Sequence, residues 1–560
     1  MTRGACPERR RGATLALFFA ALTVAMAAPW SLHPATRVVV DNPDTHLFLW
    51  TLGWDAHALV TDPLSIFNAN IYHPNANTLA YSENLIGTAF FAAPIIWLTG
   101  DLVLALNLVS LLSCALCGIG AYVLGRRLGL GVAAATLAGL IFAFAPTRFY
   151  RMSQMHLNAV QWLPFGLAWL HAYFDHGRAK DLRIAIGFLT LQALTGGHGA
   201  VFLAVSMVAL SLYRMATGEP LAPLRRAKDV GVTGLLLLAP AVLVLLPYQR
   251  AQNEVGLKRS LENWRVTPES AIASPSHVHQ FLISLVSNTK VNETASAFLF
   301  PGYLVLILGG MALLPGLHGW DRGGDNESRN KLRRHVWFYA LLGLLSVLFI
   351  VDEPLGIWPY VYSWPGFNFI RVPSRFIILT TLALAMLAGA GFERMAARKT
   401  HLGGGVMAFI LGALLLGEYA TQPFTGTEYT IKIPAIVRWL DTQPKPFVVA
   451  EVPIPRAGNA GAYVRFNTSA MLHSTVHWQK TIHGYSGIEP PLHQRVLREL
   501  NLFPDATSIA SLRELGVTHV VVHRPEYREF WPQVEARLHE ARGLRFVHAE
   551  ADGDVYEVLK

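Results

Sequence analysis

The sequence predicts a polytopic α-helical membrane protein of about eleven spans, followed by an α/β domain after residue 420. Three observations predict it. Hydrophobic residues fill 52% of the 560 positions and charged residues only 15%, whereas soluble proteins carry about 25% charged residues. Long apolar runs recur up to residue 420, at lengths that suit bilayer helices. Beyond it they give way to short strand and helix patterns. A mean hydropathy of +0.35 excludes an ordinary soluble enzyme and a disordered chain.

The runs expected to cross are 12–29, 101–125, 130–147, 157–174, 183–196, 198–216, 229–247, 298–316, 336–352, 375–393 and 404–420. A twelfth run, 84–99, contains Pro94 and follows a polar loop, so it is expected to lie in the membrane plane or to re-enter. Basic residues set this parity. The tail 1–12 and the loops 126–127, 175–183, 214–228, 317–335 and 393–402 hold 21 Lys and Arg in 67 residues, and the alternate segments hold 10 in 159. The positive-inside rule makes the first set cytoplasmic. The N-terminus then starts inside, and 421–560 is extracytoplasmic on a multi-pass protein of the plasma (inner) membrane. Were 84–99 to cross, every later basic loop would fall outside. Arg9, Arg10 and Arg11 before an apolar stretch and Ala-Met-Ala resemble a signal peptide, but an uncleaved first span is expected.

The net charge of +9 sits at the ends of apolar runs. It orients the chain and leaves no basic face for nucleic acid. Cys6 lies in the basic tail, while Cys114 and Cys117 lie inside an apolar run and read as small packing residues. In the tail, Phe447–Val452 and Val517–His523 read as strands, and Ala435–Gln443, Pro491–Leu502 and Glu526–Ala541 as helices. Arg545–Ala549 and Asp554–Val558 read as a hairpin around Asp552-Gly553. The polar run Asp321–Asn330 reads as a solvated loop.

The first external loop, 30–100, is the most informative segment. From Trp30 to Leu85 it carries Asp41, Asp44, Asp55, Asp62 and Glu83 against one base, Arg37. Acids contribute little to orientation, so their number needs another reason. Asp41 and Asp44 stand just beyond the first span. A carboxylate partly desolvated there holds its proton to higher pH and suits a general base. Asp44, after Pro43, also fits a helix N-cap. Thr45–Asp62 has apolar residues at helical spacing and reads as an interfacial, in-plane helix, with Trp50 and Trp54 at the headgroups. His46, Asp55, His57 and Glu83 are candidates for substrate contact. His46, His57 and His73 share no i, i+4 pairing, and no residue is assigned to a metal.

Arginine on the outer side is the second feature. IRVPSRF puts Arg371 and Arg375 at the outer start of span 375–393, with Pro373 suited to the first turn. Outward N–H groups and two guanidinium forks suit a phosphate. TRFYRMSQMH adds Arg148, Arg151 and His156 at another outer end. The loop before Arg371 is aromatic, with Trp358, Tyr360, Tyr362, Trp364, Phe367 and Phe369 beside Pro359 and Pro365. It suits a sugar face or a lipid chain. In the tail, LHSTVHWQKTIHGYSG supplies His473, His477, His483 and Tyr485. His473 and His477 share a face if that segment is helical, but zinc wants a third ligand, so a lid or acceptor-binding surface is expected.

A base and an arginine clamp suit one reaction. A sugar on a lipid phosphate leaves behind a stable anion, so the leaving group needs cations rather than a general acid, and the incoming hydroxyl needs a base. Asp41 or Asp44 is therefore expected to share an outward-opening chamber with Arg371 and Arg375.

On DNPDTH after the first span, the loop ending in SENL, PTRFYRMSQMH and RVPSRF, the chain resembles the GT-C superfamily of polyprenyl-phosphate-sugar glycosyltransferases. The likeness is to the bacterial multi-span branch with an external C-terminal α/β domain, and it covers residues 1–420. It implies an inverting transferase with an external site and a base at Asp41 or Asp44. It also implies a polyprenyl-phosphate-linked sugar donor, a lipid bilayer setting, and a glycan, lipid or protein acceptor of the envelope. Many members hold adjacent or one-apart acids, whereas here two residues intervene. That leaves open which acid is the base and whether a divalent metal ion takes part. Two other classes fit less of the sequence. A transporter or flippase of a lipid-linked glycan wants polar residues in mid-span, and His198 in LTGGHGA is the best of few. A non-enzymatic assembly protein would dock through the tail and use its arginines as anchors, so that Arg371→Lys would be harmless.

Overall fold

The structure, a computed structural model, describes residues 5–217, 223–255, 265–286, 290–314, 326–352, 354–364, 367, 370–397, 401–421, 424–455 and 459–560. Parts of the basic segments used for orientation (1–4, 218–222, 317–325 and 398–400) lie outside them. The chain is a helix-rich polytopic membrane protein. In lipid, backbone N–H and C=O groups must be satisfied within the segment, which only a helix or a closed barrel achieves.

The helices of eleven residues or more up to residue 420 are α1 (Ala5–Met26), α2 (Pro43–Thr61), α3 (Ile86–Thr99), α4 (Leu102–Arg127), α5 (Val132–Phe144), α6 (Trp162–His176), α7 (Ala179–Thr195), α8 (Gly197–Ala216), α9 (Pro223–Val255), α10 (Tyr303–Leu313), α11 (Asn326–Ile350), α12 (Ile377–Ala396) and α13 (His401–Tyr419). All but α2 and α3 fall on an apolar run expected to cross. Among the described residues, Leu102–Arg127, Val132–Ser153, Gly197–Ala216, Asn330–Ile350 and Pro373–Ala396 are long and apolar enough to do so. The 14 residues of α3 reach about 21 Å at 1.5 Å per residue, short of a hydrocarbon core of about 30 Å. The loop expected over Asp321–Asn330 is corrected in part: residues 326–330 already belong to α11, because the ESRNKLRR run favours helix. Residues 321–325 lie outside the described set.

The chain divides into two compact units. The first comprises Met1–Pro34, Asn107–Leu243 and Lys258–Gly426, and the second Ala35–Leu106, Val244–Leu257 and Thr427–Lys560.

In the first unit, α12 packs on α5, α10 and α11. Gly391 sets the approach to α10, since a Cβ there would fall 1.8 Å from the Leu308 carbonyl oxygen. Small residues of this kind let helix backbones close up where lipid offers no hydrophobic drive. At the start of α12, the Phe376 ring meets Phe202, Phe349 and Trp358 at centroid distances of 5.1, 4.7 and 5.1 Å. Buried Glu418 on α13 caps α10. Its carboxylate accepts the N–H groups of Tyr303 and Leu304, the latter at 3.2 Å, and meets His279 Nε2 at 2.9 Å. Leu212, Leu341, Leu344, Phe409 and Leu414 stay exposed, as lipid-facing positions do.

In the second unit, β1 (Arg37–Val38) pairs antiparallel with β2 (Thr427–Glu428), which ties the first-loop segment to the tail. The main sheet contains β3 (Val448–Val452), β4 (Lys480–Thr481), β5 (His519–Val522), β6 (Leu544–Glu550) and β7 (Gly553–Val558), in the order β4-β3-β5-β7-β6. Strand β3 is parallel to β4 and β5, and β7 is antiparallel to β5 and β6. Around it lie α14 (Ala435–Asp441), α15 (Ala460–His477), α16 (Pro491–Glu499), α17 (Ala506–Glu514) and α18 (Trp531–Glu540). The period of two sorts the strand residues. Val449, Val521 and Val555 pack on α14, while Ala450, Val520 and Val522 pack with Leu497, Leu512 and Val534 of α16–α18. The sheet is thus covered on both faces. The helix expected over Glu526–Ala541 is interrupted: a turn of α-helix over Arg524–Tyr527 ends at Arg528, which takes a left-handed φ of 51°, and α18 starts at Trp531.

Candidate functional site

The first-loop acids stand at the start of α2. Asn42 is the N-cap, its Oδ1 accepting the Thr45 N–H at 2.9 Å, with Pro43 at the first helical position. The N-cap role expected of Asp44 is therefore corrected to Asn42. Asp44 lies one residue inside, near the positive end of the helix, and accepts the Tyr485 hydroxyl at 3.1 Å. Asp41 meets His46 Nε2 at 2.8 Å, and His46 Nδ1 meets Thr468 Oγ1 at 3.0 Å. The Asp41 side chain is 45% exposed, so the desolvation expected of it is not found. A carboxylate beside an imidazole is nonetheless well built to take a proton from a hydroxyl.

Trp50 and Trp54 are buried inside the second unit, which corrects their expected place at the headgroups. Trp50 Nε1 donates to Asn70 Oδ1 at 3.2 Å, and Trp54 Nε1 to the Ile66 carbonyl at 2.8 Å. Asn70 in turn donates to Ser474 Oγ at 3.1 Å and to the Gln479 carbonyl at 3.3 Å. Asp55 is completely buried, and neither of its oxygens finds a hydrogen-bond partner among the described residues. Burial pushes its carboxyl well above the usual range. His57 stacks on Trp478 at 4.5 Å, and burial and then the Lys445 charge lower its pKa. His73 Nε2 meets the Leu515 carbonyl at 3.1 Å. Glu83 is buried, and its neighbour Asn84 donates to the Tyr248 hydroxyl at 3.2 Å.

The tail segment LHSTVHWQKTIHGYSG spans the end of α15, strand β4 and the loop beyond. A Cβ at Gly484 would fall 2.6 Å from the Tyr72 ring. His477 Nδ1 accepts the Gln479 N–H at 3.0 Å, and His483 Nε2 accepts the Glu451 N–H at 2.7 Å. Burial pushes these rings down to about 4 and about 3. His473 instead faces Glu451, so the face it shares with His477 brings no common ligand set.

In the first unit, Arg375 lies in the turn Pro373–Phe376 ahead of α12. Its Nη1 stands 2.5 Å from His198 Nε2. Guanidinium only donates, so the imidazole accepts. The His198 and His156 rings lie 5.2 Å apart. Arg151 donates to Gln154 Oε1 at 3.0 Å and stands over the Tyr150 ring at 5.0 Å. Arg371 is half-buried. Arg148, expected at the phosphate, is completely buried. It donates to the carbonyls of Ala143 at 2.8 Å and Asn158 at 3.0 Å and to Cys117 Sγ at 2.9 Å. Those bonds hold both terminal nitrogens of the guanidinium inside the bundle, while its Nε finds no hydrogen-bond partner among the described residues. Trp364 is 57% exposed and free to offer a ring face, whereas Trp358 is buried among Phe349, Phe367 and Phe376. Pro365 and Phe369 lie outside the described residues.

The chain matches the solved arabinofuranosyltransferase AftD from Mycobacteria with a TM-score of 0.55 and 16% identity, over 97% of this chain. The likeness shows a fold shared with that transferase. The chain spans 40% of the AftD chain. Two weaker likenesses carry no argument. The Archaeoglobus fulgidus oligosaccharyltransferase has a TM-score of 0.48 and 13% identity, over 97% of this chain and 74% of that one. ArnT from Cupriavidus metallidurans has a TM-score of 0.45 and 14% identity, over 98% of both chains. No family model and no curated protein matches the chain.

Asp41, Asp44, His46, Asp55, His57 and Glu83 belong to the second unit, and Arg148, Arg151, His156, Trp364, Arg371 and Arg375 to the first. Sequence reading missed the groups that hold them: Asn42, Thr468 and Asn70 for the loop, and His198 for Arg375. His198 carried one signal, its place in the glycine-rich LTGGHGA.

Proposed function

We propose that the chain is an inverting glycosyltransferase that moves a sugar from a polyprenyl-phosphate donor to a hydroxyl of an envelope glycan, lipid or protein, on the outer side of the plasma membrane. The observation that carries this reading is the fold shared with an arabinofuranosyltransferase over 97% of the chain. The acceptor O–H gives its proton to Asp41 or Asp44 as its oxygen attacks the anomeric carbon. The bond from that carbon to the phosphate oxygen breaks, and the phosphate leaves with the electron pair. One displacement inverts the configuration. Arg371 and Arg375 neutralise the departing phosphate, with His198 orienting Arg375. Trp364 offers a face for sugar or lipid.

Purified protein in detergent, given a panel of polyprenyl-phosphate sugars, tests this. Asp41→Asn or Asp44→Asn is expected to lower transfer by about 10²- to 10⁴-fold, with the far-UV circular dichroism unchanged. Full transfer by both single variants and by the double variant would end the assignment.

A further inference from the structure

Outside the acid loop and the arginine cluster, one group of side chains stands out. Glu451 Oε2 lies 2.8 Å from His473 Nδ1 and 2.7 Å from His523 Nε2. The three ligand atoms all lie within 4.8 Å of one another. Among the described residues, this is the one cluster of three side chains with metal-ligating atoms so placed, and no first-loop acid belongs to it.

Its place in the fold follows from the register. Glu451 pairs with Val521, and the His523 N–H donates to the Val452 carbonyl at 2.8 Å. Glu451 and His523 therefore sit at the carboxyl ends of two adjacent parallel strands, β3 and β5. By the period of two they share the face of Val449 and Val521, which α14 covers. His473 comes from α15, whose Val476 packs against that same core. The chain leaves β3 through α15 toward β4 on one side and returns through α16 and α17 to β5 on the other. The carboxyl end of the β3–β5 pair is thus a topological switch point, where open α/β sheets bind their ligands.

We propose that Glu451, His473 and His523 bind one transition-metal dication of the zinc class. Two histidines and a glutamate are a zinc set that leaves a fourth position open. Bonds of about 2.0–2.2 Å would put tetrahedral ligand atoms roughly 3.3–3.5 Å apart, so the oxygen and nitrogens need to open by less than about 1 Å. His483 supports the set from behind by accepting the Glu451 N–H, the kind of outer contact that orients a ligand. His477 and His483 each spend a ring nitrogen on a backbone N–H, so neither competes. The ion fastens α15 to the strand ends, and α15 carries Thr468 and Ser474, the partners of His46 and Asn70. The proposal does not depend on the transferase reading.

The full chain, purified in detergent and stripped with a chelator, is titrated with Co(II) and then with Zn(II). The wild type is expected to bind one equivalent of Co(II), with the visible absorption of a low-coordinate nitrogen and oxygen site, and Zn(II) is expected to displace it. His473→Gln and Glu451→Gln should each weaken binding at least roughly tenfold. His519→Gln, at the opposite end of β5, should bind as the wild type does. Zn(II) should raise the thermal midpoint of the wild type and leave that of His473→Gln unchanged. Folded wild-type protein that takes up no stoichiometric Co(II) or Zn(II) would overturn the proposal, as would equal binding by His473→Gln. His473, with a side-chain exposure of 12% the least buried of the three ligands, makes that variant the one least dependent on folding.

Discussion

Asp55 gives a test in which sign and size both follow from the structure. Its carboxyl is completely buried on α2 with neither oxygen hydrogen-bonded among the described residues, and burial raises its pKa well above 3.8. The folded chain therefore keeps a proton that the unfolded chain loses at an ordinary carboxyl pKa. Below that ordinary value both states are protonated and the effect vanishes. As pH climbs from there toward the raised value, the folded state holds more protons, so stability falls by about 1.4 kcal/mol for each pH unit. Asp55→Asn has nothing to titrate and Asp55→Leu has no polar group to bury, which removes a further cost of about 1–3 kcal/mol. Thermal unfolding in detergent at pH 5, 6, 7 and 8 reads the difference. Both variants are expected to outlast the wild type, by a margin that widens from pH 5 upward. A margin flat in pH, or a wild type that gains on Asp55→Asn as pH rises, would refute the reasoning.

Three further outcomes follow from the same accounting. Asn70→Leu removes the acceptor of Trp50 and the donors to Ser474 and Gln479, about 3 kcal/mol at roughly 1 kcal/mol per bond. The thermal midpoint of tryptophan fluorescence should fall accordingly, and a cost under about 1 kcal/mol would contradict the hub. Glu418→Ala leaves the Tyr303 and Leu304 N–H groups and His279 Nε2 facing an apolar gap, expected to cost about 3–5 kcal/mol in thermal denaturation, with a near-neutral result counting against the cap. A phosphatase reporter fused at Arg126 should be inactive, since that residue is expected on the cytoplasmic side. An active fusion would reverse the parity of every later span.

The helices of the membrane part were legible because lipid permits one local solution, and an apolar run declares it. The tail strands were legible because Val449, Val521 and Val555 alternate with residues of the other face. Helix α15 was not. AGAYVRFNTSAMLHSTVH shows no clean apolar stripe, and its start is set by Asn459, which caps the Ala462 N–H. Strand β4, with two residues, is too short to announce itself. The cap at α2 was misread for a local reason. Pro43 suits the first helical position, which moves the cap back to Asn42.

The candidate site divides along a different line. Residue type tells what chemistry a side chain can do, but whether its bonding capacity is already spent depends on remote partners. Arg148 and Arg375 read alike, each an arginine at the outer end of an apolar run. The structure gives Arg148 two carbonyls and a thiol, two of these partners lying 10 and 31 residues away. It gives Arg375 a contact to a neutral imidazole 177 residues away. Glu451 and His523, separated by 72 residues, meet only because β3 and β5 are neighbours. A buried guanidinium whose donors already face carbonyls has no reason to exchange them for a phosphate, since the exchange would leave those acceptors unpaired. Arg148 is thus a poor candidate for a phosphate ligand, for a reason that lies in where its partners come from.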